Sequence, residues 1–228
     1  MKPLALFVAG TNGSGKSSLR GILNFNTKLV IIDPDEITKE NGGNNTLGGR
    51  KVIELFRECI NSKKSFVMET TLSGKSVLNR LKEAKNAGFK IKMIYVGLDS
   101  VDLNIQRVAN RVAKGGHNIP TEAIIKRYNS SRENLIKSIN LLDKLEIYDN
   151  TNNVELNFAV KNNEIIYVNK NSKQWVLDIK ESIEIKLSKD SFSENMKKLN
   201  NDFTDIFSNS DDEKNTQEDK NSSVKKQR

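Results

Sequence analysis

Gly10-Thr11-Asn12-Gly13-Ser14-Gly15-Lys16-Ser17 decides how this chain is read. The stretch fits the phosphate-binding pattern G-x-x-x-x-G-K-[ST] in full. An apolar run, Leu4-Ala5-Leu6-Phe7-Val8-Ala9, precedes it, and a helix-competent stretch from Ser18 to Leu23 follows. Strand, glycine-rich turn and helix form the context in which successive backbone N–H groups converge on phosphate oxygens. The positive end of the following helix adds to that pull. Gly10, Thr11, Asn12, Gly13, Ser14, Gly15, Lys16, Ser17 and Ser18 are the expected cradle. Lys16 is expected to reach the β- and γ-phosphates, and the Ser17 hydroxyl to sit on Mg²⁺. The stretch therefore predicts binding of a nucleoside triphosphate with Mg²⁺.

Outward from this loop, the pattern is that of an α/β domain. Leu29-Val30-Ile31-Ile32, Ser65-Phe66-Val67-Met68, Ile91-Lys92-Met93-Ile94-Tyr95-Val96 and Leu145-Glu146-Ile147-Tyr148 are short, mostly apolar runs suited to buried parallel strands. Helices are predicted over about 15–23, 50–61, 76–87 and 100–113. Another begins near Pro120, a residue favoured in a first helical turn, and reaches about Leu142. Strand and helix alternate through residue 150, which predicts a P-loop NTPase or kinase fold. That fold has three α/β/α layers around a mainly parallel sheet of five strands. Residues 40–49, rich in Gly and Asn, read as a flexible loop. Two alternating segments, 154–160 and 164–168, flank Lys161-Asn162-Asn163 and predict a β-hairpin. A helix over 173–187 follows. The expected organisation is a kinase domain over 1–150, an appended hairpin and helix over 151–187, and a tail over 188–228.

The tail is rich in Ser, Asn, Asp, Glu and Lys. Such a segment buries too little apolar area to offset its chain entropy, so disorder is expected. Within it, Leu199, Phe203, Ile206 and Phe207 recur at helical spacing across 196–207. They suggest a docking helix through which the tail could inhibit its own domain.

The whole chain carries 37 Lys and Arg against 29 Asp and Glu, a net charge of +8. The tail is close to neutral, so the positive excess belongs to residues 1–187. No helix-turn-helix, zinc or RNA-binding signature accompanies it, so the charge is assigned to gripping a triphosphate rather than nucleic acid. The single cysteine, Cys59, excludes an internal disulfide framework and a Cys-based metal site. It is expected to be a small buried or half-buried residue in a helix. No secretory signal precedes the first strand, and no apolar stretch approaches membrane-spanning length. A cytoplasmic enzyme is expected.

Ligands of open α/β sheets bind beyond the carboxyl ends of the strands. Two further polar clusters fall there, Asp33-Pro34-Asp35-Glu36 and Glu69-Thr70-Thr71. A phosphoryl transferase needs a base for the acceptor hydroxyl, and Asp35 and Asp33 are the candidates, helix capping being their alternative role. Glu69 ends an apolar strand, where an unpaired carboxylate is costly, so it should meet a cation, a hydroxyl or Mg²⁺. Thr70 and Thr71 offer donors to a polar substrate. Arg107 and Arg111 stand four apart on one helix face and precede Gly115-Gly116-His117. They read as a lid that clamps phosphates, a task suited to the planar guanidinium, or else as a solvated basic face. His117, the only histidine, is expected to bond substrate or support a residue that does. Arg127 and Arg132 lie on the next helix, with Arg127 the better placed to face the cleft.

Together these residues resemble the zeta-toxin group of P-loop kinases, from about Lys2 to Asn150. The resemblance rests on the phosphate loop, the Asp33-Pro34-Asp35-Glu36-Ile37 turn, Phe66 to Gly74, Tyr95-Val96-Gly97-Leu98, the Arg107 and Arg111 pair, Gly115-Gly116-His117-Asn118-Ile119-Pro120, Arg127-Tyr128 and Tyr148-Asp149-Asn150. The Thr-Leu-Ser-Gly and Gly-Gly-His-Asn-Ile-Pro pieces look like the short chromosomal branch. The resemblance implies a kinase that uses ATP or GTP to phosphorylate a nucleotide sugar, typically the 3′-hydroxyl of the amino sugar in UDP-N-acetylglucosamine. It implies Asp35 as base and Glu69 and Thr71 as contacts to the sugar nucleotide. Arg107 and Arg111 would then act on the transferring phosphate, and an antitoxin protein is a possible partner. His117 stands near where better-studied toxins carry a second lid arginine, and Lys75 where several relatives carry Arg. Arg111 or Arg127 would then supply the second cation. Other readings of the same residues are a kinase of another small metabolite or of a nucleic-acid end, and a nucleotide-binding regulatory module with negligible turnover.

Overall fold

A computed structural model describes residues 2–22, 29–193 and 195–197. The chain divides into two units, Met1–Ile183 and Glu184–Arg228. The first unit is built on one seven-stranded sheet in the order β2-β3-β1-β4-β5-β6-β7. Its strands are β1 (Leu4–Ala9), β2 (Val30–Ile32), β3 (Phe66–Thr70), β4 (Lys90–Gly97), β5 (Lys144–Asp149), β6 (Glu155–Lys161) and β7 (Glu164–Val168). Neighbours from β2 to β5 are parallel, and β5–β6 and β6–β7 are antiparallel. The five parallel strands of the expected core are all present. The expected hairpin is present and extends the same sheet, which therefore has seven strands rather than five. Its turn places Asn162 and Asn163 at φ 51° and 65°, the left-handed pair that a tight hairpin turn requires. Phe158, Ala159 and Val160 of β6 are buried, so the edge that β5 would have exposed is covered.

The helices are α1 (Lys16–Ile22), α2 (Pro34–Glu40), α3 (Asn45–Ser62), α4 (Lys75–Asn86), α5 (Val101–Ala113) and α6 (Thr121–Ser138). Residues 174–183 are also helical. The continuous apolar run of β1 is explained by burial on both faces, with Ala5 through Ala9 all in the core. Leu6, Val8, Leu19, Val67, Ile94 and Val96 make one core cluster. Phe66 meets Phe7 and Phe56 edge-on, at centroid distances of 5.9 and 5.7 Å. Cys59 is buried in α3.

One expectation is corrected. Residues 40–49 are not a continuous loop, because α3 begins at Asn45, capped by the Asn44 side chain, which accepts from the N–H groups of Thr46 and Leu47. Gly48 lies inside the helix, where a Cβ would come within 2.8 Å of Thr38 Cα on α2. That glycine serves close approach of two helices rather than flexibility.

In the second unit, residues 184–193 and 195–197 are helical. The docking segment expected over 196–207 lies outside the described residues beyond Lys197, as does the rest of the tail. Among the described residues, no helix is long and apolar enough to cross a membrane.

Candidate functional site

Parallel strands put their carboxyl ends on one rim, and the polar clusters after β1, β2, β3 and β5 meet there. The phosphate loop leaves β1 with Gly10, Gly13 and Gly15 at φ 142°, 80° and 94°. A Cβ at Gly10 would strike the Val96 carbonyl oxygen, so the first glycine is required by strain and by space alike. Outside the loop, three polar side chains hold it. Asn104 Nδ2 of α5 donates to the Asn12 carbonyl (2.7 Å), and Asn150 Nδ2 donates to the Ser14 carbonyl (2.8 Å). Arg127 Nη1 of α6 donates to Asn12 Oδ1 (2.8 Å).

A cleft of about 720 Å³ opens over the loop. Asn12, Gly13, Gly15, Lys16, Ser17 and Ser18 line its floor. Asp33, Asp35, Glu69, Thr70 and Thr71 line the side toward β2 and β3, and Arg107, Arg111, His117 and Arg127 the side toward α5 and α6. Most predicted site residues are thus brought together. The exceptions are Gly10, Thr11 and Ser14, loop residues that are themselves buried. Arg132 does not face the cleft. It stacks on Tyr128 and Trp175, 4.0 and 4.8 Å from their ring centroids.

Carboxylates and cations are interleaved where α1 meets the ends of β2 and β3. Ser17 Oγ donates to Glu69 Oε2 at 3.0 Å. Arg20, one helical turn beyond Lys16, places Nε 3.1 Å from Glu69 Oε1 and Nη1 3.2 Å from Asp33 Oδ2. Asp33 is also the N-cap of α2, its Oδ1 accepting from the N–H groups of Asp35 (3.0 Å) and Glu36 (3.3 Å). Its carboxylate is therefore spoken for by structure, whereas Asp35, in the first turn, is exposed and lines the cleft. Burial raises the pKa of Glu69, and the nearby charge of Asp33 raises it further, against Arg20, Lys16 and the Ser17 hydroxyl. Burial lowers the pKa of Lys16, opposed by Glu69, Asp35 and Asp33.

A second cleft of about 710 Å³ shares Asp33, Asp35, Asn45, Arg111 and His117 with the first and continues over Thr38, Lys39, Gly42 and Gly43. Asp35 stands at the junction of the two. On the lid side, Arg107 Nη2 donates to the carbonyls of Asn150 (2.8 Å) and Thr151 (3.0 Å), and Arg111 Nη2 to that of His117 (2.9 Å). Gly115 and Gly116 cap α5, with N–H bonds of 2.9 Å to the Val112 and Arg111 carbonyls, and so turn His117 back over the cleft.

Four contributors carry no site role in the sequence reading. Arg20 had a signal, its i+4 spacing from Lys16. Asn104 had another, a polar residue on the face shared by Val101, Ile105 and Val108, where it is 1% exposed. Asn150 is marked only by resemblance. Arg80 of α4 also lines the cleft, its guanidinium 6.0 Å from the Phe56 ring centroid. Its amphipathic helix offers nothing to separate it from a surface arginine.

Comparison with known proteins agrees with this architecture. The family model described as zeta toxin matches residues 47–162. An uncharacterised protein of Haemophilus influenzae is 41% identical over 133 residues, which are 56% of this chain and 94% of the relative. Among solved structures, the PezAT chromosomal toxin–antitoxin system of Streptococcus pneumoniae superimposes with a TM-score of 0.52 at 17% identity, covering 78% of this chain and 76% of that one. The AvrRxo1-ORF1:ORF2 complex with ATP gives 0.57 at 13% identity, covering 80% of this chain and 64% of that one, so this chain spans just under two thirds of that protein. At such identities the structural likeness speaks for the fold.

Proposed function

This chain belongs to the zeta toxin family, and on that premise we propose that it is a kinase transferring the γ-phosphate of ATP or GTP to a hydroxyl of a nucleotide sugar, with UDP-N-acetylglucosamine the first acceptor to test. One observation carries the reading. Lys16, Ser17, Asp35, Glu69, Thr71, Arg107 and Arg111, drawn from four separate segments, line a single cleft at the carboxyl rim of the sheet.

The phosphate-loop amides and the Lys16 ammonium bind the donor phosphates, desolvation making that ammonium a strong partner for an anion. Oxygen ligands suit Mg²⁺, and Ser17 Oγ beside the Glu69 carboxylate (3.0 Å) would be a donor set of that kind. Mg²⁺, when bound, neutralises charge on the phosphate oxygens. Asp35 takes the proton of the acceptor hydroxyl as the hydroxyl oxygen bonds to the γ-phosphorus and the bond from that phosphorus to the β–γ bridging oxygen breaks. Arg107 and Arg111 stabilise the charge spread over the transferring group. Glu69 and Thr71 orient the acceptor, and Arg80 adds a cation on the acceptor wall.

Incubation with ATP, Mg²⁺ and UDP-N-acetylglucosamine should yield a phosphorylated sugar nucleotide by mass spectrometry. Turnover of ATP only with some other hydroxyl compound would move the acceptor, and no turnover with any would leave a nucleotide-binding module. The PezAT system is a toxin–antitoxin pair. By likeness we include a protein partner in the proposal, with inhibition by the chain's own tail as its rival. Deleting residues 188–228 should leave activity unchanged in the first case and raise it in the second.

A further inference from the structure

Residues 174–183 lie beyond the stretch that matches the family, yet a side chain from this helix reaches the frame of the phosphate loop. Trp175 is 4% exposed, and its indole Nε1 donates to Asp149 Oδ2 at 2.8 Å. Asp149, at the end of β5, is itself buried. Its two carboxylate oxygens also accept from Thr151, Oδ1 from the backbone N–H (3.0 Å) and Oδ2 from the hydroxyl (2.9 Å). The Thr151 hydroxyl in turn accepts from the Asp99 N–H (3.0 Å), which ties the turn to the end of β4. The turn 149–151 is therefore closed around one carboxylate, and Trp175 supplies one of its three donors.

The groups held by that turn are those that touch the site. Asn150 Nδ2 donates to the Ser14 carbonyl of the phosphate loop, and a Cβ on Gly15 would strike that same amide. The carbonyls of Asn150 and Thr151 accept both bonds of Arg107 Nη2. One turn thus fixes the loop that binds the donor and the arginine that faces the transferring group. The indole is seated closely. A Cβ on Gly97 would come within 2.8 Å of the ring, and the Arg132 guanidinium lies 4.8 Å from its centroid while donating to the Leu98 carbonyl.

We propose that Trp175 is a positioning residue for the donor site, acting through Asp149 and the turn 149–151 on Ser14 and Arg107, so that the helix over 174–183 completes the nucleotide-binding frame. This rests on the reading of Gly10–Ser17 as a triphosphate site and is independent of the acceptor. A buried carboxylate that loses one charge-assisted donor lets its turn relax, and a loss of about tenfold in nucleotide affinity is the expected size.

The test is nucleotide titration of the full-length chain with a fluorescent ATP analogue and Mg²⁺, beside a thermal melt in the absence of nucleotide. Trp175→Phe keeps the aromatic packing and removes only the N–H. Nucleotide Kd should rise about tenfold while the apo melting temperature falls little. Thr151→Val removes the hydroxyl link at a half-buried position and should weaken nucleotide in the same way, which covers the case in which Trp175→Phe does not fold. Native affinity in folded Trp175→Phe overturns the proposal, and so does native affinity in Thr151→Val where Trp175→Phe does not fold. Failure of the unaltered chain to bind the analogue would instead refute the triphosphate reading beneath it. Where an acceptor is in hand, nucleotide KM should rise and kcat fall in both variants, a pattern that loss of stability alone does not produce.

Discussion

Replacing Arg20 by Met removes one charge and keeps most of the side-chain stem. In the native site Arg20 lies 3.1 Å from Glu69 and 3.2 Å from Asp33, with side-chain exposures of 21%, 7% and 11% for the three residues. Removing one partner of a buried pair costs about 3–5 kcal/mol, because a charge is left without compensation. Arg20 is partly wet, and Lys16 still faces both acids, so the lower end, about 3 kcal/mol, applies. For a domain of this size each kcal/mol moves Tm by about 2–4 °C, so a fall of roughly 6–12 °C is expected at pH 7. The pH dependence follows from Glu69, whose folded pKa is already raised by burial and by Asp33. A carboxyl raised on folding causes no loss while both states are protonated. Its penalty grows as pH climbs from the unfolded value to the folded one and is constant above it. Without Arg20 that folded value rises further, so the deficit of Arg20→Met should be largest at neutral pH and shrink toward pH 5. Thermal melts of both proteins between pH 5 and 8, without nucleotide, measure this. A Tm at pH 7 within about 2 °C of native, or a deficit that does not change with pH, would refute the account of this ion cluster.

Asp35→Asn should lower kcat by about 10²–10⁴ and leave nucleotide affinity nearly native, as turnover and titration on one preparation will show; equal losses in both would place Asp35 in donor binding instead. The lowered pKa of Lys16 implies that nucleotide affinity declines with rising pH before the ordinary lysine range is reached, since the bound phosphates require the protonated amine. Calorimetric titration from pH 7 upward checks this, and Lys16→Met should flatten the residual profile. Gly48→Ala forces a methyl group toward Thr38 and should cost about 1–3 kcal/mol in urea unfolding, whereas an unshifted midpoint would mean that α2 and α3 are not in close contact.

Much of this was legible along the chain. Apolar runs marked β1, β3 and β4, and the glycines of the phosphate loop stand where positive φ demands them. Ser100, where the predicted helix over 100–113 starts, caps α5, its hydroxyl accepting from the Leu103 N–H. The segment 40–49 misled because glycine is ambiguous in one dimension. The residue that permits a flexible turn also permits two helices to touch, and only Thr38 opposite Gly48 separates these cases. The hairpin is legible in the alternation of 154–168, but its continuation of the main sheet is not, since strand pairing depends on which edge is open.

The phosphate loop, the α/β alternation and the order of polar clusters after successive strands were set by sequence alone, because each depends on residues within a few positions of one another. Tertiary structure decided which of those groups serve the site. Asn150 meets Ser14 across 136 residues and Asn104 meets Asn12 across 92, and Arg20 gains its role only where β2 and β3 lie side by side. Conformational preference is a local property of the chain. The pairing of buried polar groups is not, since each needs a partner that only the packed sheet and its helices bring within hydrogen-bond reach.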